Sequence, residues 1–143
     1  MSIVDAEELR ALAEKYETLG AMRRREAAGE PPHENAFYQR LAARFPGALK
    51  ELDRLPLDEI DRRAHELERA ASSGVALPWM VAVAAYHAKL RDLLAAKRRG
   101  EAVCEGRCTV VELATAAAGE RSGLEPREIR SLLALKPRGA TAP

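Results

Sequence analysis

Apolar residues recur along this chain at spacings of three and four, the period of one face of an α-helix. The first such stripe comprises Leu9, Leu12, Tyr16 and Leu19. It follows Asp5 and Glu8, which have the spacing of an N-terminal capping box. The pattern predicts an amphipathic first helix within residues 1–28, ended by Gly29 and the prolines that follow.

The middle of the chain, residues 33–99, predicts a set of core helices. Prolines and glycines divide it into apolar-striped segments over 34–45, 48–55, 57–71 and 78–99. The last segment is apolar on nearly all sides in its first half, which is typical of a helix buried by its neighbours. We therefore expect it to be the central helix of the fold. The side chains expected to meet in this core are Trp79, Tyr86, Leu90, Leu57, Ile60 and Leu67.

The C-terminal region, residues 109–135, predicts two short helices joined at Gly123. Gly119 and Gly123 are small enough for a tight turn, and Ile129 follows where it would pin the second helix to the first. This spacing approximates a helix-turn-helix. Many helical hairpins with a glycine turn have the same spacing, so the pattern alone does not establish a DNA-binding motif.

The composition favours helix throughout. Alanine is the commonest residue and leucine occurs 18 times, whereas valine and isoleucine together occur ten times. β-Branched residues are the ones that suit pleated sheets. The sequence therefore predicts an all-α protein, a single compact bundle of five or six helices around a central buried helix, with a C-terminal helix-turn-helix-like pair. It would form one domain over 1–135, followed by a flexible tail over 136–143.

Several classes of protein are disfavoured. The formal net charge of +1 does not indicate a polyanion-coating protein. The longest apolar run, residues 75–86, is shorter than the roughly 20 residues that cross a membrane, so we expect no membrane association. The first ten residues lack the basic and apolar regions of a secretory signal, and a cytoplasmic protein is expected.

One candidate surface for DNA lies on the last predicted helix. The side chains that would contact DNA are Arg127, Arg130, Ser131 and Lys136. Residues 97–143 carry nine Lys/Arg against six Asp/Glu, which agrees with such a role. Glu125 and Glu128 lie beside the same surface and would repel phosphates. DNA binding is therefore an alternative hypothesis and not the favoured one.

The sequence offers no strong metal or catalytic site. Cys104 and Cys108 form a single pair without the second pair of ligands that structural zinc requires, and we expect two thiols without a special role. His33, His65 and His87 do not have the Glu-x-x-His spacing of bundle metal sites. We expect His87 to be a partly buried histidine with a partner. No cofactor is predicted.

The remaining hypothesis is a non-enzymatic protein that acts by binding another protein, in regulation or assembly. It depends on the apolar stripe of the first helix, which residues 29–32 separate from the rest of the chain. If that helix folds back, the stripe joins the core. If it projects, the stripe is an interaction surface, and a homodimer through it is one outcome. A DNA-binding regulator is the second hypothesis, and an enzyme or metal protein is the third.

Overall fold

A computed structural model describes residues 4–30, 36–46, 48, 51, 54–103 and 109–135. The protein is all-helical in these ranges. Its helices are α1 (Ala6–Ala27), α2 (Ala36–Arg44), α3 (Leu57–Ser73), α4 (Pro78–Arg98), α5 (Val110–Ser122) and α6 (Pro126–Leu132). A further helical segment between α2 and α3 includes Ala48, Glu51 and Arg54. The predicted tail over 136–143 lies outside the described residues.

The helices form two packed pairs. Helix α1 packs along α3 in the antiparallel sense, because Arg24 near the end of α1 bonds Asp61 near the start of α3. Helix α4 packs along α5, and α6 closes against both. Side chains from all of these helices contribute to a single hydrophobic core. The compact helical bundle predicted from the sequence is therefore confirmed.

The predicted helix starts match the local bonding. The Asp5 side chain accepts a hydrogen bond from the Glu8 backbone N–H at 2.8 Å, and Thr109 accepts one from the Glu112 backbone N–H at 3.1 Å. Each bond satisfies a backbone donor that an N-terminal turn would otherwise leave unpaired. Helix α6 is shorter than expected and ends at Leu132, because Ala134 adopts a left-handed φ of 56° that cannot continue the helix.

The stripe of the first helix belongs to the core. Leu9, Leu12, Tyr16 and Leu19 are each at most 2% exposed. Their expected role as a protein-interaction surface therefore requires correction, because side chains already covered by the chain's own helices offer no exposed patch to a partner. The same burial removes the basis for a homodimer through this stripe.

The expectation for the central helix also needs a partial correction. Tyr86, Leu90, Ile60 and Leu67 are buried as predicted, but Trp79 and Leu57 are only half-buried. Trp79 stands one residue after the first residue of α4, where the helix emerges from the core. Its ring lies edge-to-face with Tyr16 at 6.3 Å between centroids, and its Nε1 donates to Glu66 at 3.3 Å.

The turn between α5 and α6 depends on two small residues. Gly123 ends α5 with a φ of 79°, in the left-handed region that favours glycine. A Cβ atom on Gly119 would lie 3.2 Å from the backbone oxygen of Leu124, so glycine allows the chain to turn back closely. Ile129 is fully buried and fixes α6 against α5. The two helices pack against each other around this turn, and the helix-turn-helix likeness stays a prediction.

Burial of the α1 stripe leads to a stability prediction. Leu12→Ala should lower the free energy of unfolding by about 2–5 kcal/mol, because it leaves a cavity in the core. Leu93→Ala, at a half-buried position outside the buried core, should change it by no more than about 1 kcal/mol. Urea denaturation followed by circular dichroism measures both. Equal effects would mean that α1 does not form part of the core.

Candidate functional site: a buried polar network and an adjoining groove

Five polar or charged side chains are buried at the junction of the two helix pairs. Lys15 and Tyr16 come from α1, Arg63 from α3 and His87 from α4, while Glu51 comes from the segment between α2 and α3. None is more than 4% exposed. Buried charges require partners, and clusters of buried titratable groups are frequent at functional sites.

Glu51 is the centre of this network. Its Oε1 accepts a hydrogen bond from the Tyr16 hydroxyl at 2.6 Å and lies 3.2 Å from Nη1 of Arg63. Its Oε2 lies 2.6 Å from Nζ of Lys15. One carboxylate thus contacts two cations and one hydroxyl. Such charge-assisted bonds are stronger than neutral ones.

Lys15 connects Glu51 to His87. Its Nζ lies 2.9 Å from Nε2 of His87 and 3.2 Å from the Tyr16 hydroxyl. An ammonium has only donors, so the contact assigns Nε2 as the acceptor and leaves the ring proton on Nδ1. Burial lowers the pKa of Lys15, and the charge and hydrogen bond of Glu51 oppose that shift. Lys15 therefore has an amine that is easier to deprotonate than a surface lysine.

The environment keeps Tyr16 and His87 neutral. Burial raises the pKa of Tyr16 well above its ordinary value, and the nearby Glu51 carboxylate raises it further. Burial lowers the pKa of His87 well below 6.5, with Lys15 acting in the same direction and the Pro46 carbonyl against it. The network consequently contains neutral hydrogen-bonding groups around a single carboxylate and its cations.

Arg63 links the buried network to groups nearer the protein surface. Its Nε donates to Glu59 at 2.8 Å, and its Nη1 donates to the backbone carbonyl of Leu132 at 2.7 Å, near the end of α6. Its guanidinium carbon lies 5.5 Å from the centre of the Tyr16 ring and 5.7 Å from that of Trp79. Arg63 is thus held by α1, α3, α4 and α6 together.

An open groove of about 610 Å³ lies on the outer side of Arg63. The start of α4 forms one wall, with Leu77 and Trp79, and α6 forms the other, with Leu132. Leu77, which lines the groove, is 44% exposed, and Val75, two residues earlier and outside the groove lining, is 64% exposed. The groove is within the size range of sites that bind ligands or peptide side chains.

Of the four candidate DNA-contacting residues, two are among the described residues that line this groove. Arg127 and Ser131 are exposed and line the groove. Arg130 is half-buried, and Lys136 lies outside the described residues. The structure therefore brings only two of the four predicted residues to one described surface. Glu125 approaches Arg127 to 3.9 Å, and this acid weakens the attraction of that surface for phosphates.

The described ranges contain no candidate metal site and no helix that could span a membrane. Among those residues, no three His, Cys, Asp or Glu side chains come together as metal ligands. Cys104, Cys108 and His33 lie outside them, and His65 is exposed on α3. None of the described helices combines the length and the apolar character that crossing a membrane requires.

Sequence reasoning placed Tyr16 on the apolar stripe of α1 and His87 beside the core, but it missed Lys15, Glu51 and Arg63. Lys15 lies three residues after Leu12 and four before Leu19, so helical spacing puts it on the buried face. Arg63 stands in the same relation to Ile60 and Leu67. A charged residue at a core position of an amphipathic helix was the available signal. Glu51 gave no comparable signal, because its burial depends on where its segment docks.

Comparisons of the chain with protein-family models, with curated proteins and with solved structures give no match. The geometry of the network and the groove therefore carries the functional argument.

The charge balance of the network predicts unequal effects of removing its members. Glu51→Gln should destabilise the protein by about 3–5 kcal/mol, because it leaves the buried Lys15 amine without its carboxylate and Arg63 with Glu59 alone. Lys15→Met should cost less, roughly 1–3 kcal/mol, because Glu51 keeps Arg63 and the Tyr16 hydroxyl, although Glu51 Oε2, His87 and Tyr16 lose the Lys15 amine. Chemical denaturation at neutral pH compares them. A larger cost for Lys15→Met would contradict the central role of Glu51.

The neutral, buried His87 predicts a loss of stability in acid. Below about pH 6.5 the unfolded chain takes up a proton that the folded chain excludes, so the free energy of unfolding falls as the pH decreases. His87→Gln should flatten this slope between about pH 6.5 and pH 5. His65→Gln, at an exposed position, serves as the matched control and should keep the wild-type slope.

A pair of surface glutamates gives the free energy of unfolding the opposite dependence on pH. The two histidine variants are therefore compared with each other. A hydrogen bond with Glu68 raises the pKa of Glu17 to about 7. The folded chain then holds a proton that the unfolded chain releases, and stability falls as the pH rises towards 7. Because this contribution is common to both histidine variants, it cancels in their difference. Equal slopes for the two variants would contradict the burial of a neutral His87.

Proposed function

We propose that the protein acts by binding a segment of another protein in the groove between the start of α4 and α6, in a regulatory or assembly role. The observation that carries this proposal is the exposure of Leu77 at the groove, next to the half-buried ring of Trp79. Exposed apolar side chains that line a concave surface are typical of interaction sites.

The composition of the walls supports a peptide-sized ligand. Leu77, Pro78, Leu124 and Leu132 supply apolar contact, and Trp79 adds a wide flat ring. Aromatic side chains are enriched among the residues that dominate binding energy at protein interfaces. The floor is ordered before binding, because Arg63 is bonded on several sides. A preformed site loses less entropy when its partner binds.

The proposal differs from the sequence-based hypothesis in its location. The sequence assigned protein binding to the α1 stripe, whereas the exposed large apolar residues of the described chain are Val75 and Leu77, just before α4. DNA binding by α6 stays the alternative hypothesis, and the same experiment includes it as an outcome.

Trp79 makes the groove directly measurable, because it is the only tryptophan of the chain. Peptides selected from a displayed random library against the full chain should shift the Trp79 emission to shorter wavelength when they cover the ring. Leu77→Asp should weaken their binding at least tenfold, since it places a charge on the apolar wall. The emission titration gives the affinity.

Leu93→Asp is the matched control for this experiment. It makes the same substitution within α4, about 24 Å from Leu77 at 1.5 Å per residue, and it should bind the peptides as the wild type does. Selected peptides that bind Leu77→Asp undiminished, or a library without binders, would refute the proposal. Duplex DNA that is retained with a steep salt dependence, in place of peptides, would favour the DNA-binding hypothesis.

A further inference from the structure

The floor of the groove contains a cation with unused hydrogen-bond donors. The bonds of Arg63 to the described residues use Nε and Nη1, which contact Glu59, Tyr16, Glu51 and the Leu132 carbonyl. A guanidinium has five N–H donors in a fixed plane. The Nη2 donors are consequently the part of Arg63 that is left for a ligand in the groove that this side chain lines.

A second cation stands at the rim of the same groove. The Arg127 side chain is 86% exposed and approaches Glu125 only to 3.9 Å. Exposed pairs of this kind contribute little energy, so Arg127 is readily released to an incoming anion. Glu128 is the acidic residue among those that line the groove, and its Oε1 already accepts a hydrogen bond from the Glu125 backbone N–H at 3.1 Å.

The start of α4 adds to this positive character. Leu77 precedes the helix and Pro78 is its first residue, so the positive end of the macrodipole of a 21-residue helix lies in the groove wall. The Arg127 side chain and the α4 terminus therefore place positive charge beside apolar surface. Arg63, whose charge is already paired with Glu51 and Glu59, adds its Nη2 hydrogen-bond donors. A nucleic-acid backbone would supply the negative charge but no apolar side chain for the walls.

We infer that the groove binds an acidic segment of its partner protein, in which an apolar side chain contacts Leu77 and Trp79 and a neighbouring carboxylate bonds Arg63 and Arg127. This inference rests on the proposed function, and it names the chemistry of the partner. Arginine suits this role because its planar fork matches the two oxygens of a carboxylate.

The test uses the peptides selected on the full chain and the Trp79 emission. The selected sequences should be enriched in Asp or Glu next to an apolar residue. Replacing that acidic residue by its amide should weaken binding about tenfold, the size expected when a charge-assisted hydrogen bond is lost. Added salt should weaken binding of the acidic peptide more than that of the amide version.

A charge reversal locates the interaction. Arg127→Glu should weaken binding of the acidic peptide, and a peptide with Lys in place of the acid should regain affinity for this variant. Arg98→Glu is the matched control, because Arg98 lies at the other end of α4, about 30 Å from Pro78. Both positions are exposed, and circular dichroism checks that each variant retains its helices.

The outcomes separate this inference from the function on which it rests. Peptides that bind through Leu77 but show no acidic preference and no response to Arg127→Glu would overturn the inference and leave the groove as a binding site. The absence of any groove-binding peptide would remove both. A Trp79 emission that shifts with protein concentration alone would show that a second copy of the chain occupies the groove, which also overturns the inference.

Discussion

The carboxylate of Glu51 is the constraint on which the arrangement of the helices depends. It lies in the interior between two cations, Lys15 of α1 and Arg63 of α3. Without it, the buried Lys15 charge would lose its carboxylate and Arg63 would keep Glu59 alone, and an unpaired charge in a medium of low polarity costs far more than a single hydrogen bond. The segment between α2 and α3 must therefore dock where this carboxylate meets both helices, and Lys15 then fixes His87 and α4 relative to them.

Arg63 connects the buried polar network to the groove on the surface. Because its Nη1 bonds Glu51 and the Leu132 carbonyl, the end of α6 is tied to the same carboxylate that orders the helix pairs. Buried ion pairs contribute little net stability compared with a well-packed apolar core, but breaking one is costly. The network is accordingly better suited to fixing the relative position of α4 and α6, which are the two walls of the groove.

The residues show why the fold was more predictable than the site. Asp5 and Thr109 cap helices through bonds three residues away, and short-range patterns of this kind are visible in a sequence. Lys15 carried a partial signal, since helical spacing alone places it on the buried face. The groove carried none, because Leu77 and Leu132 are far apart along the chain and meet only through the packing of α6. Trp79 was assigned to the core because its spacing along the helix is that of a buried residue. Its actual exposure depends on which other helices pack beside it, and a local sequence pattern does not show that.

Leu77 itself breaks a local rule of helix construction. It is the residue that precedes α4, a position where Ser, Thr, Asp or Asn would accept a bond from the first turn, and leucine has no acceptor to offer. A capping side chain there would be worth about 0.5–2 kcal/mol. The chain instead has a large apolar side chain that is 44% exposed and lines the groove. The backbone N–H of Leu77 contacts the Met80 sulfur at 3.4 Å, but no side-chain oxygen caps the first turn. The proposed binding site would use this apolar side chain, and departures from local consistency of this kind are expected where function competes with stability.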